Sequence, residues 1–184
     1  MGFFYTGKGD KGVSDLGKKK IKKTTLEIEA VGALDELNSL LGIVKNQSFG
    51  KLNRLFKNIL NGVQEDLFII QAHIGAAMVD NKFTPPLFTN NKVRKLEEFI
   101  DDFEKKIKPK RGFIVYGAAE EVGWLDYARA VSRRAERRVL KLKTKNKIQP
   151  EIFSYLNRLS SLLYAMARFL ASQKKKKEKK PLYK

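Results

Sequence analysis

Between residues 150 and 172, apolar side chains return every three or four positions without a break, at Ile152, Leu156, Leu159, Leu163, Met166 and Leu170. At about 100° per residue these positions share one stripe of a helix, and a stripe of that length is stable only when buried against other elements. The same spacing recurs upstream. Residues 30–45 place Leu34, Leu37, Leu41 and Val44 on one face, residues 51–79 carry Leu55, Ile59 and Val63, and a third segment runs over 91–107. Residues 119–143 place Leu125, Ala128, Ala135, Val139 and Leu142 on a fourth stripe. Pro85 and Pro86 force a loop in "DNKFTPPLFTNN", Pro109 stops the third segment, and Pro150 suits a first helical turn. Long amphipathic helices with short connections predict an all-α fold, a five-helix antiparallel bundle. We expect one domain over 1–173, with a basic glycine-rich loop at 1–25, the bundle at 26–173 and a disordered lysine-rich tail at 174–184. No internal repeat and no strand-rich region is evident.

With 184 residues and 42 % apolar content, the chain can bury one core of ordinary size. The absence of cysteine excludes disulfides, a thiolate nucleophile and cysteine-based metal sites. No apolar run approaches the roughly 18 residues of a membrane span, and "MGFFYTGKGDKG" lacks a signal-like apolar core. A soluble, cytoplasmic protein without membrane contact is expected. The formal charge of +18 points toward polyanions. Its distribution weakens that reading: the tail holds seven lysines and one glutamate, and the first 23 residues hold seven lysines and two aspartates. Solvated ends of this kind adsorb nucleic acid non-specifically. A basic helical nucleic-acid-binding protein remains the alternative from another class.

The densest chemistry lies in "RAVSRRAERRV", residues 129–139. Arg129, Arg133 and Glu136 follow one flank of the apolar stripe, whereas Arg134 and Arg138 project elsewhere. A guanidinium beside a buried seam suits bidentate pairing with carboxylate or phosphate; a salt-bridged solvent face is the competing reading. In "YTGKGDKGVSDLGKKKIKK", glycines alternate with lysines, so that backbone N–H groups could approach an anion. The stretch matches neither the Walker pattern nor the dinucleotide fingerprint, and a flexible basic arm fits equally. Asp35 and Glu36 near a helix opening suit capping or an ion pair with arginine. Asn157 and Arg158 adjoin the last stripe, where an amide needs a partner. His73, the single histidine, lacks Glu-x-x-His companions and reads as structural. Phe113, in the basic loop "KPKRGFIVYGA", is either a wedge for a flat ring or a satellite of the core. With no evident general base or protein nucleophile, an enzyme here would bind, orient and stabilise charge while a cofactor supplied reactivity.

Five segments, "YTGKGDKGVS", "VGALDELNSLLG", "RGFIVYGA", "ARAVSRRAERRV" and "NRLSSLLYAMAR", resemble in order and spacing the PduO-type ATP:cob(I)alamin adenosyltransferases. The resemblance covers 5–169 and implies a ferritin-like bundle assembled as a homotrimer with sites between subunits. It implies ATP, Mg²⁺ and cob(I)alamin as reactants or cofactors, and a reducing partner that the motifs leave unidentified. By motif position, Thr6, Gly7, Gly9, Asp10, Gly12, Ser14 and Lys18 would form a phosphate loop. Arg133, Glu136 and Asn157 would hold ATP, with Glu136 a candidate for its magnesium. Asp35 and Arg129 would pair across subunits, and Phe113 would face the corrin and displace its lower axial ligand. The chain departs from the family at Tyr116 and Ala118, where "FILPGG" has proline and glycine. It departs again at Asp126, in place of histidine, at bulky Trp124, and at Ser161, in place of aspartate. The corrin-facing loop is therefore the most altered part, and binding of ATP or cobalamin without transfer is the related alternative.

Overall fold

The computed structural model describes residues 4–16, 19–79, 83–107, 112–143 and 148–183. Five helices make the bundle: α1 (Leu26–Lys45), α2 (Asn53–Met78), α3 (Asn90–Ile107), α4 (Glu120–Leu140) and α5 (Pro150–Gln173). A short 3₁₀ turn, Gly50–Leu52, precedes α2. Helix α4 packs against α1 and α5, α3 packs against α5, and α2 packs against α1. The stripes read from sequence are the ones buried. On α5, all six stripe residues are in the core, and so are the four on α4 and Leu142 just beyond its end. At the edge of the bundle, Leu55 of the α2 stripe is exposed instead. Phe49, Phe56, Phe103 and Phe169 then run as a chain of ring contacts across one end of the core, with centroids 4.9–5.8 Å apart.

Helix α1 begins four residues earlier than its apolar pattern. Thr25 caps it by accepting the Ile28 N–H at 3.4 Å, and Glu27 and Glu29 compensate the dipole in the first turn. Asp35 and Glu36 therefore sit mid-helix, and the capping role considered for them falls to these upstream residues. Among the described residues, no helix is long and apolar enough to cross a membrane.

Two elements depart from expectation. The glycine-rich N-terminal region contains a short antiparallel pair, β1 (Val13–Leu16) with β2 (Lys19–Lys22), registered Val13 opposite Lys22. Its side chains are too lysine-rich to show a buried alternation, so the sequence carried no strand signal. The C-terminal tail is also more than a free extension. Lys175 takes φ 53°, the Lys176 N–H closes on the Ala171 carbonyl at 2.9 Å, and the chain turns back over the bundle. Lys174 then pairs with Glu121, and Glu178 with Arg168. The +6 composition of the tail hid this, because composition does not show which individual lysine or glutamate meets a partner on the bundle.

Candidate functional site

Helix α4 uses its arginines in two directions, as its stripe geometry requires. Arg134 and Arg138 reach α1, pairing with Glu36 and with Glu29 at 3.4 Å. These are half-exposed ion pairs that each contribute little to stability, about 0–1 kcal/mol. Arg129, Arg133 and Glu136 lie on the side toward α5. There Asn157 donates its amide to Glu136 Oε1 at 2.9 Å and accepts from Arg158 Nη1 at 2.7 Å. Arg158 Nε in turn donates to Glu97 of α3 at 2.8 Å. One polar chain thus crosses three helices, and it gives Asn157 the partner that its place beside the core demands.

Next to this chain, α3, α4 and α5 frame a cavity of about 270 Å³. Arg129 and Arg133 line it from α4, and Ser160, Ser161, Tyr164 and Arg168 from α5, with Glu104 of α3 as the one carboxylate on its wall. Arg168 is already balanced by Asp126 and Glu178, so Arg129 and Arg133 are the two guanidinium groups that bias the cleft toward an anion. Ser161 extends that bias, since the family motif has aspartate at its position. Arg133 and Glu136 are one turn apart on α4, so a bound anion and the Glu136–Asn157 pair would be within reach of each other.

Arg129 is held differently from Arg133. Its guanidinium lies over the Tyr116 ring, 4.9 Å from the centroid, and its Nε is buried without a hydrogen-bond partner. Asp35 is exposed on α1 and does not meet Arg129 within the chain. Phe113, at 75 % exposure, is no satellite of the core; Val115, Tyr116 and Tyr127 are exposed as well, so the loop presents an apolar surface beside the arginine-lined cleft.

The glycine-rich candidates form a separate feature. Gly7 and Gly12 take φ of +67° and +72°, and the turns close through Asp10 N–H to the Gly7 carbonyl and Gly12 N–H to the Gly9 carbonyl. The Lys23 Nζ lies 2.8 Å from where a Gly9 Cβ would stand, but it ends a flexible side chain that can swing away. Thr6 Oγ1 accepts the Lys8 N–H at 3.4 Å, and Ser14 faces Ile21 across the strand pair. None of Thr6, Gly7, Gly9, Asp10, Gly12 or Ser14 touches the Arg133 face of the same chain through a hydrogen bond or ion pair among the described residues. Lys18 lies outside the described residues. His73 is structural, as expected: its Nε2 lies 2.9 Å from the Pro86 carbonyl and fastens α2 to the loop before α3.

Sequence reasoning missed a buried ionic cluster. Arg168, within the apolar run 165–171, is 6 % exposed and donates to both oxygens of Asp126, at 2.7 and 2.8 Å. Its Nη1 faces Glu178 Oε1 at 3.0 Å, and Tyr164 stacks on it at 4.8 Å. Burial raises the Glu178 pKa above the ordinary carboxylate value, against the opposing pull of Arg168. The available signal was an arginine surrounded by core residues, which requires a carboxylate; Asp126, standing where the family has histidine, was the departure that answers it.

The architecture is that of a helical bundle with an arginine-lined cleft beside an exposed apolar loop, and a glycine-rich arm held apart from both. The chain belongs to the cobalamin adenosyltransferase family, whose sequence pattern matches residues 4–170. It is 32 % identical to the corrinoid adenosyltransferase PduO of Salmonella typhimurium over 165 residues, covering 89 % of this chain and 48 % of that protein. It is 34 % identical to a corrinoid adenosyltransferase of Bacillus subtilis over 166 residues, covering 89 % and 84 % respectively. The chain thus spans about half the length of the PduO relatives it matches, and most of the shorter one. Its fold superposes with a TM-score of 0.89 on a variant PduO-type ATP:corrinoid adenosyltransferase from Lactobacillus reuteri complexed with cobalamin and ATP. That pair is 27 % identical and covers 97 % of this chain and 96 % of the other.

Proposed function

We propose that the chain transfers the 5′-deoxyadenosyl group of ATP to the cobalt of cob(I)alamin. The observation that carries this reading is the juxtaposition of an arginine-lined anion cleft with the exposed Phe113 loop. One suits a triphosphate, and the other suits the flat, partly apolar corrin. In the transfer, cobalt(I) attacks the ribose 5′-carbon, the cobalt–carbon bond forms, and the carbon–oxygen bond to triphosphate breaks. Triphosphate leaves with the bonding electrons, and cobalt becomes formally trivalent. The nucleophile is the substrate's metal, which suits a site without cysteine or an activated serine.

The protein's part is electrostatic and positional. Arg133 meets the triphosphate as its charge grows, a role in which preorganised donors act most strongly. Glu136, oriented by Asn157, holds the ATP or its magnesium. Among the described residues, no group of three or more His, Asp or Glu could hold a metal ion by itself. Magnesium carried on the phosphates and touched by one carboxylate is the arrangement these residues fit. Phe113 occupies the lower face of the corrin and disfavours the axial ligand there, so that cobalt is more readily reduced by a separate reducing partner.

The site is shared between subunits in this reading. The glycine-rich arm with Thr6, Gly7, Gly9, Asp10, Gly12, Ser14 and Lys18 completes the phosphate site of a neighbouring copy. Asp35, exposed on one copy, pairs with the half-buried Arg129 guanidinium of another. A homotrimer closes such head-to-tail contacts by rotation. A cytoplasmic location, where ATP is abundant, is part of this proposal.

Anaerobic incubation with ATP, Mg²⁺ and chemically prepared cob(I)alamin tests the activity. Formation of the cobalt–carbon spectrum with stoichiometric triphosphate is expected. ATP binding with no cobalt–carbon product would overturn transfer and leave a nucleotide-binding protein.

A further inference from the structure

We propose that Glu178 is a positioning residue: through Arg168 it fixes the C-terminal segment against the loop 112–119 and so sets where Phe113 stands. The inference rests on the reading of Phe113 as the corrin-facing side chain. Arg168 holds two carboxylates from different parts of the chain, Asp126 of α4 and Glu178 of the segment after α5. Each of them is coupled to the loop. Asp126 Oδ2 accepts the Gly117 N–H at 3.4 Å, and the carbonyl of Lys179, next to Glu178, accepts the Val115 N–H at 2.8 Å. The loop amides at Val115 and Gly117 are therefore held by acceptors that both depend on one buried guanidinium. Phe113 is two residues before the first of them, without core contacts to fix it independently.

The departures from the family pattern explain why such a tether is useful here. A proline fixes φ of the loop by its ring, whereas Tyr116 leaves that angle free. Hydrogen bonds from Val115 and Gly117 to acceptors outside the loop restore the lost restraint. Tyr116 itself is used as a platform for Arg129, so the same substitution joins the loop to the cleft. The return of the tail is set by the Lys175 turn and by Lys174 on Glu121 at 2.6 Å, which deliver Glu178 to Arg168 at a fixed distance along the chain.

The test compares full-length wild type with Glu178→Ala, Glu178→Lys and Glu178→Gln. Amide hydrogen exchange is read at Val115 and Gly117, ATP affinity by calorimetry, and KM and kcat with cob(I)alamin. We expect the Ala and Lys variants to speed exchange at both amides by about tenfold or more, since a local opening then breaks no contact between the side chain at 178 and Arg168. Their KM for the corrinoid should rise severalfold, with ATP affinity and thermal stability of the bundle unchanged. Glu178→Gln keeps an oxygen for Arg168 and should restore both readouts. Unaltered exchange in Glu178→Ala would overturn the tether. Faster exchange with an unchanged corrinoid KM would overturn its role in positioning Phe113. A wild-type chain that forms no cobalt–carbon bond overturns the activity alone, because the exchange comparison decides the tether without it.

Discussion

The Asn157 amide and the Glu136 carboxylate are joined at 2.9 Å across the α4–α5 seam, with Arg133 one turn away and no carboxylate partner of its own among the described residues. Glu136 is thus engaged by a neutral donor, and Arg133 keeps its charge for a ligand. Arg133→Ala should weaken ATP binding by roughly ten- to a hundredfold, the equivalent of a charge-assisted hydrogen bond of about 1.5–3 kcal/mol. Calorimetry reads the affinity. Far-UV circular dichroism should be unchanged, because Arg133 is exposed and outside the core. Full affinity in the variant would remove Arg133 from the site.

Arg129 is half-buried without a carboxylate partner among the described residues, and Asp35 is exposed on α1 of the same chain. If they pair between copies, Asp35→Ala and Arg129→Ala should each weaken the trimer, because removal of one partner of a buried pair costs about 3–5 kcal/mol. Light scattering at decreasing protein concentration measures this. Intact trimers with wild-type ATP affinity in both variants would show that the pair does not form.

Asp126 and Arg168 are almost wholly buried, so their separate and joint replacement should differ sharply in effect. Asp126→Ala leaves a buried guanidinium short of a partner and should lower stability by about 3–5 kcal/mol. Asp126→Leu combined with Arg168→Met removes both charges, and with Glu178→Gln added no carboxylate is left facing the lost cation, so most of that loss should be recovered, as seen by denaturant unfolding. Equal losses in the single and triple variants would mean that packing, and not charge pairing, dominates there.

The tail should dock with an unusual dependence on pH. Lys174 hydrogen-bonds Glu121 and lowers its pKa, so this contribution is present above about 4.5 and is lost as pH falls through the folded-state value. Burial raises the Glu178 pKa, so its contribution is fullest below about 4.5 and declines as pH rises through the folded-state value. Arg168 and Asp126 face Glu178, while Lys176 adds to Lys174 at Glu121. Protection of the Val115 amide, corrected for intrinsic exchange, should peak in mild acid and fall on both sides. Glu178→Gln should abolish the decline toward neutral pH, and Lys174→Met the decline in stronger acid. A flat profile in wild type would rule out both linkages.

By itself the sequence determined the helices and their inward faces. Periodicity is a local property of φ and ψ, so the stripes on α4 and α5 could be read residue by residue, and so could the divergence of Arg134 and Arg138 from Arg129 and Arg133. The family motifs likewise group Glu136 with Asn157, and the structure joins the two by a hydrogen bond. Only the tertiary structure decided which distant residues share a buried charge. Asp126 and Arg168 are 42 positions apart, and their meeting depends on how α4 is rotated and shifted along α5, which no local pattern encodes. The tail shows the same limit. Seven lysines dominate its composition and predict solvation, but with a left-handed turn at Lys175 the tail meets the bundle through Lys174 on Glu121, Glu178 beside Arg168 and the Lys179 carbonyl on the Val115 N–H, contacts between residues well separated in sequence.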